Sequence, residues 1–361
     1  MVVQKQLMKR LPKELWRRIL TFGFAVEIGN VRKTSKFGYS ITMDLLSGRF
    51  AIGIDKKVVT VDAESGKILC IFTAHRDKIL HCGFSYSGER IITSSCDKKC
   101  RIWDAEGYLH LSLGHYGTVF AGTYSNDDKQ IVTTSYDTYI RFWDICKGQL
   151  MTTLAGHTSA VTCCCFSHDG TMLLTGSYDQ TAIIWDLTER KNDKFSYKRV
   201  LKGHTYWINS VNFAADDSLI VTGSSDHTAK TWDVHSGNVR NTFVGHSEWI
   251  WTSSFSSDAK RIVTSSIDRS ARIWDAHSAN LIHILQHEAE VSSSSFTSDD
   301  LRIITGASDN RIIIWDSYAA TILYSITFRQ APNNSFIFCS FTPTLPPLGD
   351  SCDNEEPPSL E

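Results

Sequence analysis

An all-β fold assembled from copies of one four-stranded unit is what this 361-residue sequence predicts, on three observations. Six aspartates are each followed, six residues later, by a tryptophan and another aspartate: Asp97 with Trp103, Asp137 with Trp143, Asp179 with Trp185, Asp226 with Trp232, Asp268 with Trp274 and Asp309 with Trp315. A threonine stands four residues before each of these aspartates (Thr93, Thr133, Thr175, Thr222, Thr264, Thr305), and a histidine eighteen before each threonine (His75, His115, His157, His204, His246, His287). The period is 40 to 47 residues, filled with short runs rich in Ile, Val, Thr and Phe between turn signals. That spacing is the mark of a β-propeller, in which each period is one blade.

One unit shows the logic. Residues 149–186, QLMTTLAGHTSAVTCCCFSHDGTMLLTGSYDQTAIIWD, divide into four short strands with turns at Ala155-Gly156-His157, His168-Asp169-Gly170 and Tyr178-Asp179-Gln180. The strands come in the order outer, inner, second, third. On Gly-His at Gly114-His115, Gly156-His157, Gly203-His204 and Gly245-His246, and on Trp-Asp at all six ends, the chain resembles the WD-repeat family over residues 35–326. Ala74-His75 and Gln286-His287 depart from the Gly-His pattern. The resemblance implies a hydrogen-bonded tetrad in each unit: aspartate to histidine ring, ring to threonine, threonine to tryptophan N–H. Each such bond is worth about 1 kcal/mol net. Thr, His and Asp also suggest a catalytic triad, but a trio repeated six times, its hydroxyl directed at a tryptophan, is a structural device.

Taken in chain order, residues 1–30 come first, with an apolar stripe of Leu11, Leu15 and Ile19 beside Met8 and Trp16. Lys9, Arg10, Lys13, Arg17 and Arg18 supply charge, so a short basic amphipathic helix is expected. Leu11-Pro12-Lys13-Glu14-Leu15 with Ile19-Leu20 also resembles the opening of an F-box, the adaptor-binding element of some ubiquitin-ligase receptors, although residues 23–38 show no second helical pattern. The first acidic residue is Glu14, which leaves a mitochondrial presequence as another reading. The propeller is expected over residues 31–342. Its first unit is only an outline: Val61-Asp62 replaces Trp-Asp, Ala51 stands for threonine, Lys33 for histidine, and Asp55 keeps its distance. From Gly48 to Asp55 it is two residues shorter than its neighbour, so its second strand must pair differently, and it is expected to be the least stable blade.

Between Trp185-Asp186 and Gly203-His204 an insertion, Glu189-Arg190-Lys191-Asn192-Asp193-Lys194, reads as a solvated loop opposite the Gly-His turns. Ala319 to Ile326 reads as the last outer strand, and Phe336 to Phe341 as the inner strand of an unfinished blade. Seven blades with an extra strand are expected; eight, with N-terminal residues completing the last, is the alternative. Residues 343–361, with five prolines and Asp350, Asp353, Glu355 and Glu356, read as a disordered acidic tail.

A net charge of −2 disfavours sequence-specific nucleic-acid binding and offers no pull towards acidic membranes. Ten cysteines include the consecutive Cys163, Cys164 and Cys165, which point to alternating strand faces, and Cys96 and Cys100, which flank a turn without a second ligand pair. Buried free thiols, no metal, no cofactor and an intracellular, cytoplasmic location are expected for a monomeric propeller, with a nuclear location the alternative.

The resemblance implies that partners dock on the face of the disc bearing the Gly-His and Asp turns, here called the top, through side chains three and five residues after each histidine and just before each turn aspartate. Three after stand Lys78, Thr118, Ala160, Trp207, Trp249 and Glu290; five after stand Leu80, Phe120, Thr162, Asn209, Trp251 and Ser292; before the aspartates come Cys96, Tyr136, Tyr178, Ser225, Ile267 and Ser308. The candidate partner-binding residues are therefore Trp207, Trp249, Trp251, Ile267, Tyr178, Tyr136, Phe120 and Lys78, since Trp and Tyr most often dominate binding energy. Packing within the channel is the competing role for the tryptophans. A non-enzymatic docking scaffold for a protein partner is the function expected. A ubiquitin-ligase substrate receptor is disfavoured because the positions two after each Trp-Asp aspartate, Glu106, Cys146, Thr188, His235, His277 and Tyr318, carry no Arg or Lys. An enzyme is disfavoured because His81, His110, His168, His227, His235, His277 and His283 are scattered.

Overall fold

The computed structural model describes residues 49–62, 68–191, 194–297, 299–309, 311–327 and 337–341. The expected N-terminal helix, the F-box-like segment, Lys33 and the acidic tail lie outside them. Seven four-stranded antiparallel sheets form the blades. Numbered in chain order, blade 2 is β4 (Ile79–Phe84), β5 (Arg90–Ser95), β6 (Lys99–Asp104) and β7 (Leu109–Gly114); blade 3 is β8 (Val119–Tyr124), β9 (Gln130–Ser135), β10 (Ile140–Asp144) and β11 (Gln149–Leu154). Blade 4 is β12 (Val161–Phe166), β13 (Met172–Ser177), β14 (Thr181–Lys191) and β15 (Lys194–Lys202), and blade 5 is β16 (Ile208–Phe213), β17 (Leu219–Ser224), β18 (Thr228–Asp233) and β19 (Val239–Val244). Blade 6 is β20 (Ile250–Phe255), β21 (Arg261–Ser266), β22 (Ser270–Asp275) and β23 (Leu281–Gln286), and blade 7 is β24 (Val291–Phe296), β25 (Arg302–Ala307), β26 (Arg311–Asp316) and β27 (Ile322–Thr327).

Blade 1 is assembled from both ends of the described chain: β1 (Arg49–Ile54), β2 (Lys57–Asp62) and β3 (Ile68–Thr73) receive β28 (Ile337–Phe341) as their inner strand. β28 runs antiparallel to β1, with Ile337 opposite Ile54 and Phe341 opposite Phe50. This corrects the expectation of an extra strand beginning another blade. The strand completes the first sheet, which closes the ring and pairs the inner ladder of β1. The first blade also differs at its turn. Ile54 pairs with Lys57, so Asp55-Lys56 is a two-residue hairpin loop with Asp55 at φ 52°. In the next five blades the left-handed residue follows the turn aspartate, at Lys98, Thr138, Gln180, His227 and Arg269.

The core lies between the blades. β13, β21 and β25 are buried at every position, because both faces of a second strand are covered, whereas outer strands such as β7 expose most of theirs. Each interface is a separate apolar cluster. Leu174, Ile184 and Leu201 of blade 4 meet Ile208, Ile220 and Trp232 of blade 5; Val221, Ala229 and Phe243 of blade 5 meet Ile250, Ile262 and Trp274 of blade 6. Backbones approach closely there: a Cβ on Gly223 would lie 2.7 Å from Ser210 Oγ and 2.8 Å from Ile250 Cγ2. On the bottom face, aspartates of blades 3, 5 and 7 reach back to the preceding blade. Asp128 accepts from Tyr86 N–H and Ser87 N–H, Asp217 from His168 and Asp169, and Asp300 from Ser257 and Asp258.

The insertion in blade 4 is paired rather than looped. β14 and β15 extend beyond the blade as a hairpin, with Arg190 opposite Phe195 and Lys191 opposite Lys194. Phe195 explains the order, its ring lying 5.2 Å from that of Phe142 in blade 3, while Tyr197 sits edge-on to Trp185 at 6.3 Å. Among the described residues no helix is long and apolar enough to cross a membrane, and Cys70, Cys82, Cys96, Cys100, Cys146 and Cys163 to Cys165 are free thiols.

Candidate functional site

The top face is set by hydrogen bonds inside each blade. In blades 2, 4, 5 and 6 the histidine Nδ1 lies 3.0, 2.8, 2.7 and 2.7 Å from a carboxylate oxygen of Asp97, Asp179, Asp226 and Asp268. Nε2 of His75, His157, His204 and His246 lies 2.7 to 2.9 Å from the hydroxyls of Thr93, Thr175, Thr222 and Thr264. Trp103, Trp185, Trp232 and Trp274 each donate Nε1–H to the same hydroxyl at 2.9 Å. In blades 4, 5 and 6 a ring that donates from Nδ1 to a carboxylate accepts at Nε2, so the threonine hydroxyl donates to the histidine and accepts from the tryptophan; in blade 2 Arg101 Nη1 also lies 2.7 Å from His75 Nδ1. Burial by itself would raise the Asp179, Asp226 and Asp268 carboxyls, but bonds from His157, His204, His246 and neighbouring hydroxyls and amides hold them well below the usual range.

Two blades depart, which corrects the expectation of six identical tetrads. In blade 3, Arg141 engages Asp137 at 3.0 and 2.9 Å and His115 Nδ1 has no partner, although His115 Nε2 still meets Thr133 at 2.8 Å and Trp143 donates to Thr133 at 2.8 Å. In blade 7, Arg311 lies 3.3 Å from Asp309 and 2.9 Å from Glu288, His287 Nε2 has no partner, and Trp315 alone donates to Thr305, at 2.8 Å. A charged guanidinium is the stronger partner for a carboxylate than a neutral imidazole. Burial first, then Arg141 or Arg311, pushes His115 and His287 down to about 4. Arg101 of blade 2 shares Asp97 without displacing His75.

Above this frame, the backbone positions the candidate side chains. In all six repeats the residue before the turn aspartate donates its N–H to the carbonyl three after the histidine: Cys96 to Lys78, Tyr136 to Thr118, Tyr178 to Ala160, Ser225 to Trp207, Ile267 to Trp249 and Ser308 to Glu290, at 2.8 to 3.1 Å. The residue five after each histidine is the extra one in a β-bulge between the inner and second strands, at Leu80, Phe120, Thr162, Asn209, Trp251 and Ser292. A bulge re-aims a side chain out of the regular ladder.

These placements join the aromatic candidates into a chain across four blades. Tyr136 lies 6.5 Å from Phe120 by ring centroids, Phe120 5.7 Å from Tyr178, Tyr178 4.2 Å from Trp207 in a stack, Trp207 5.8 Å from Trp249, and Trp249 6.3 Å from Trp251. Tyr136 is 62% exposed, whereas Phe120, Tyr178, Trp207, Trp249 and Trp251 are half-buried. Ile267 is half-buried and held to Trp249 through its N–H. Lys78, exposed in blade 2, stands apart from the arc. Tyr206 belongs to it and was missed: it lies 4.9 Å from Trp207 and 6.3 Å from Trp249, and is 41% exposed. It stands two residues after His204, a position whose carbonyl is held by Ser224 Oγ, and the run Tyr206-Trp207 was the signal for it. Among the described residues no group of three or more His, Cys, Asp or Glu is arranged to hold a metal ion.

Six segments of the chain, residues 66–104, 107–144, 148–186, 195–233, 237–275 and 279–316, match the family model described as WD domain, G-beta repeat. The chain belongs to the WD40 repeat family. Its similarity to individual WD40 proteins is partial. It is 35% identical over 130 residues to Pre-mRNA-processing factor 19 of Oryza sativa subsp. japonica, covering 34% of this chain and 24% of that protein. Over 104 residues it is 33% identical to Protein tipD of Dictyostelium discoideum, covering 28% and 17%, and over 83 residues 34% identical to WD repeat-containing protein 26 homolog of Arabidopsis thaliana, covering 22% and 14%. The matched part is thus about a quarter or less of each relative's length.

Proposed function

We propose that this WD40 propeller is a non-enzymatic docking scaffold that grips a peptide or protein partner on its top face. WD40 propellers typically serve as protein-interaction scaffolds, and the observation that carries the reading here is the aromatic arc from Tyr136 to Trp251. Its rings pack on one another across blades 3 to 6 yet stay partly open to solvent. Buried, pre-packed Trp and Tyr anchors lose little side-chain entropy on binding, and truncating one typically costs about 2 kcal/mol or more. The His-Thr-Asp sets are consumed in holding turns: every threonine hydroxyl accepts a tryptophan N–H and none faces a substrate position.

The test is affinity purification with the intact chain against a Trp207→Ala, Trp249→Ala, Trp251→Ala variant whose fold is verified by circular dichroism. Partners lost from the folded variant support the reading. Retention of every partner would make the tryptophans packing residues of the channel mouth and sink it.

A further inference from the structure

One end of the aromatic arc meets a cationic surface. Beyond Tyr136 lie the tops of blades 1 and 2, where Lys56, Lys57, Arg76, Lys78, Lys98 and Lys99 are all exposed. Tertiary structure gathers them. The Asp55-Lys56 turn of blade 1 is tied to the first loop of blade 2 by Ala74 N–H and His75 N–H donating to the Lys56 carbonyl at 2.9 and 3.1 Å, and by Ile79 N–H donating to the Asp55 carbonyl at 2.6 Å. The Cys96 N–H holds the Lys78 carbonyl at 3.0 Å, which sets the Asp97 turn with Lys98 and Lys99 beside Arg76 and Lys78. The His115 N–H bonds the Lys98 carbonyl at 3.0 Å, so the cluster runs directly into the start of blade 3.

Of the carboxylates nearby, Asp97 is occupied and Asp77 is exposed. Asp97 accepts from the His75 ring, Arg101 and the amides of Arg76 and Lys99, and Asp77 accepts from the Lys78 amide. None of the six cationic side chains is in an ion pair among the described residues. At the other end, around Trp249, the exposed charged groups are Glu248, Glu288, Glu290 and Arg269, with Arg311 bound to Glu288. The face is therefore cationic on blades 1 and 2, aromatic on blades 3 to 6, and of mixed charge at the edge of blades 6 and 7.

Resting on the docking reading above, we infer that the partner is a protein segment with two parts, a run of acidic residues seated over blades 1 and 2 and an apolar block over the arc. Charge complementarity selects the acidic part, because clustered unpaired cations raise the local concentration of an opposite charge and set the orientation of approach.

The probe is a labelled peptide joining a run of glutamates to a Leu-Trp-Leu block through a Gly-Ser spacer, compared by fluorescence anisotropy with the same peptide carrying glutamines. With the full chain at low salt, the glutamate peptide is expected to bind about tenfold tighter. That ratio should collapse at high salt and in a Lys56→Glu, Lys98→Glu, Lys99→Glu variant. A Trp207→Ala, Trp249→Ala variant should weaken both peptides and leave the ratio intact. Equal binding of the two peptides, a ratio that survives charge reversal, or no binding of the glutamate peptide at low salt overturns the inference. Tighter binding of a single-stranded oligonucleotide than of the glutamate peptide overturns it too, in favour of a phosphate backbone. A charge ratio that persists while the tryptophan variant binds both peptides normally would instead sink the aromatic reading.

Discussion

Replacing Thr222 by valine isolates the central hydroxyl of a complete tetrad, and Thr305→Val does the same in an incomplete one. Both threonines are fully buried, and valine keeps their shape. At Thr222 the change strands two groups: Trp232 Nε1–H, now 2.9 Å from the hydroxyl, and His204 Nε2, now 2.7 Å from it. At Thr305 it strands Trp315 Nε1–H and removes a 3.2 Å bond to the Ile313 carbonyl, but His287 Nε2 has no partner to lose. Each orphaned buried group costs about 1–3 kcal/mol. Thr222→Val should therefore destabilise by roughly 3 kcal/mol, and Thr305→Val by about half as much. The assay is urea unfolding followed by tryptophan fluorescence and circular dichroism, comparing midpoints at unchanged slope. Equal losses, or a larger loss from Thr305→Val, would refute the claim that the histidine bond contributes to blade stability.

Stability should also fall with acid in a definite window. His115 and His287 ionise near 4 in the folded protein against an ordinary 6.5, so the unfolded chain binds protons first as the pH drops. Their contribution is intact above pH 6.5 and is lost between 6.5 and 4, on the order of 3 kcal/mol for each. The urea midpoint measured across that range should decline, and a His115→Gln, His287→Gln variant should make the decline shallower, with His81, pushed down to about 4 by burial, keeping part of it; a wild-type midpoint that stays level contradicts the assignment. Gly223→Val places atoms where Ser210 Oγ and Ile250 Cγ2 already lie within 3 Å, and should cost about 1–3 kcal/mol by thermal or urea unfolding. In the opposite direction, Thr138 sits at φ 73°, a poor conformation for a β-branched residue. Thr138→Asn should raise the midpoint by the equivalent of about 0.5 kcal/mol or more, and a lower midpoint would show that the threonine side chain stabilises its turn.

The sequence by itself determined the blade. Every contact of a tetrad falls within one repeat, histidine eighteen residues from threonine and threonine ten from tryptophan. Residue types at fixed short spacing therefore carry the device, complete in blades 2, 4, 5 and 6 and partial in blades 3 and 7, and the family resemblance supplied the offsets of the top-face positions. Tertiary structure decided what depends on neighbours. Ring closure joins Phe341 to Phe50, a pairing with no local signal, so Phe336 to Phe341 read only as an inner strand with no sheet assigned. Arg141, two residues before its tryptophan, and Arg311, four before, reach their turn aspartates and unseat two histidines, whereas Arg101, placed like Arg141, leaves His75 bound. Phe195 turned an expected loop into a hairpin by finding Phe142 on the adjacent blade. The arc itself is a tertiary object: each aromatic was legible from its offset to a histidine, but Tyr178 stacks on Trp207 only because ring closure at a fixed angle brings the inner ends of successive blades together.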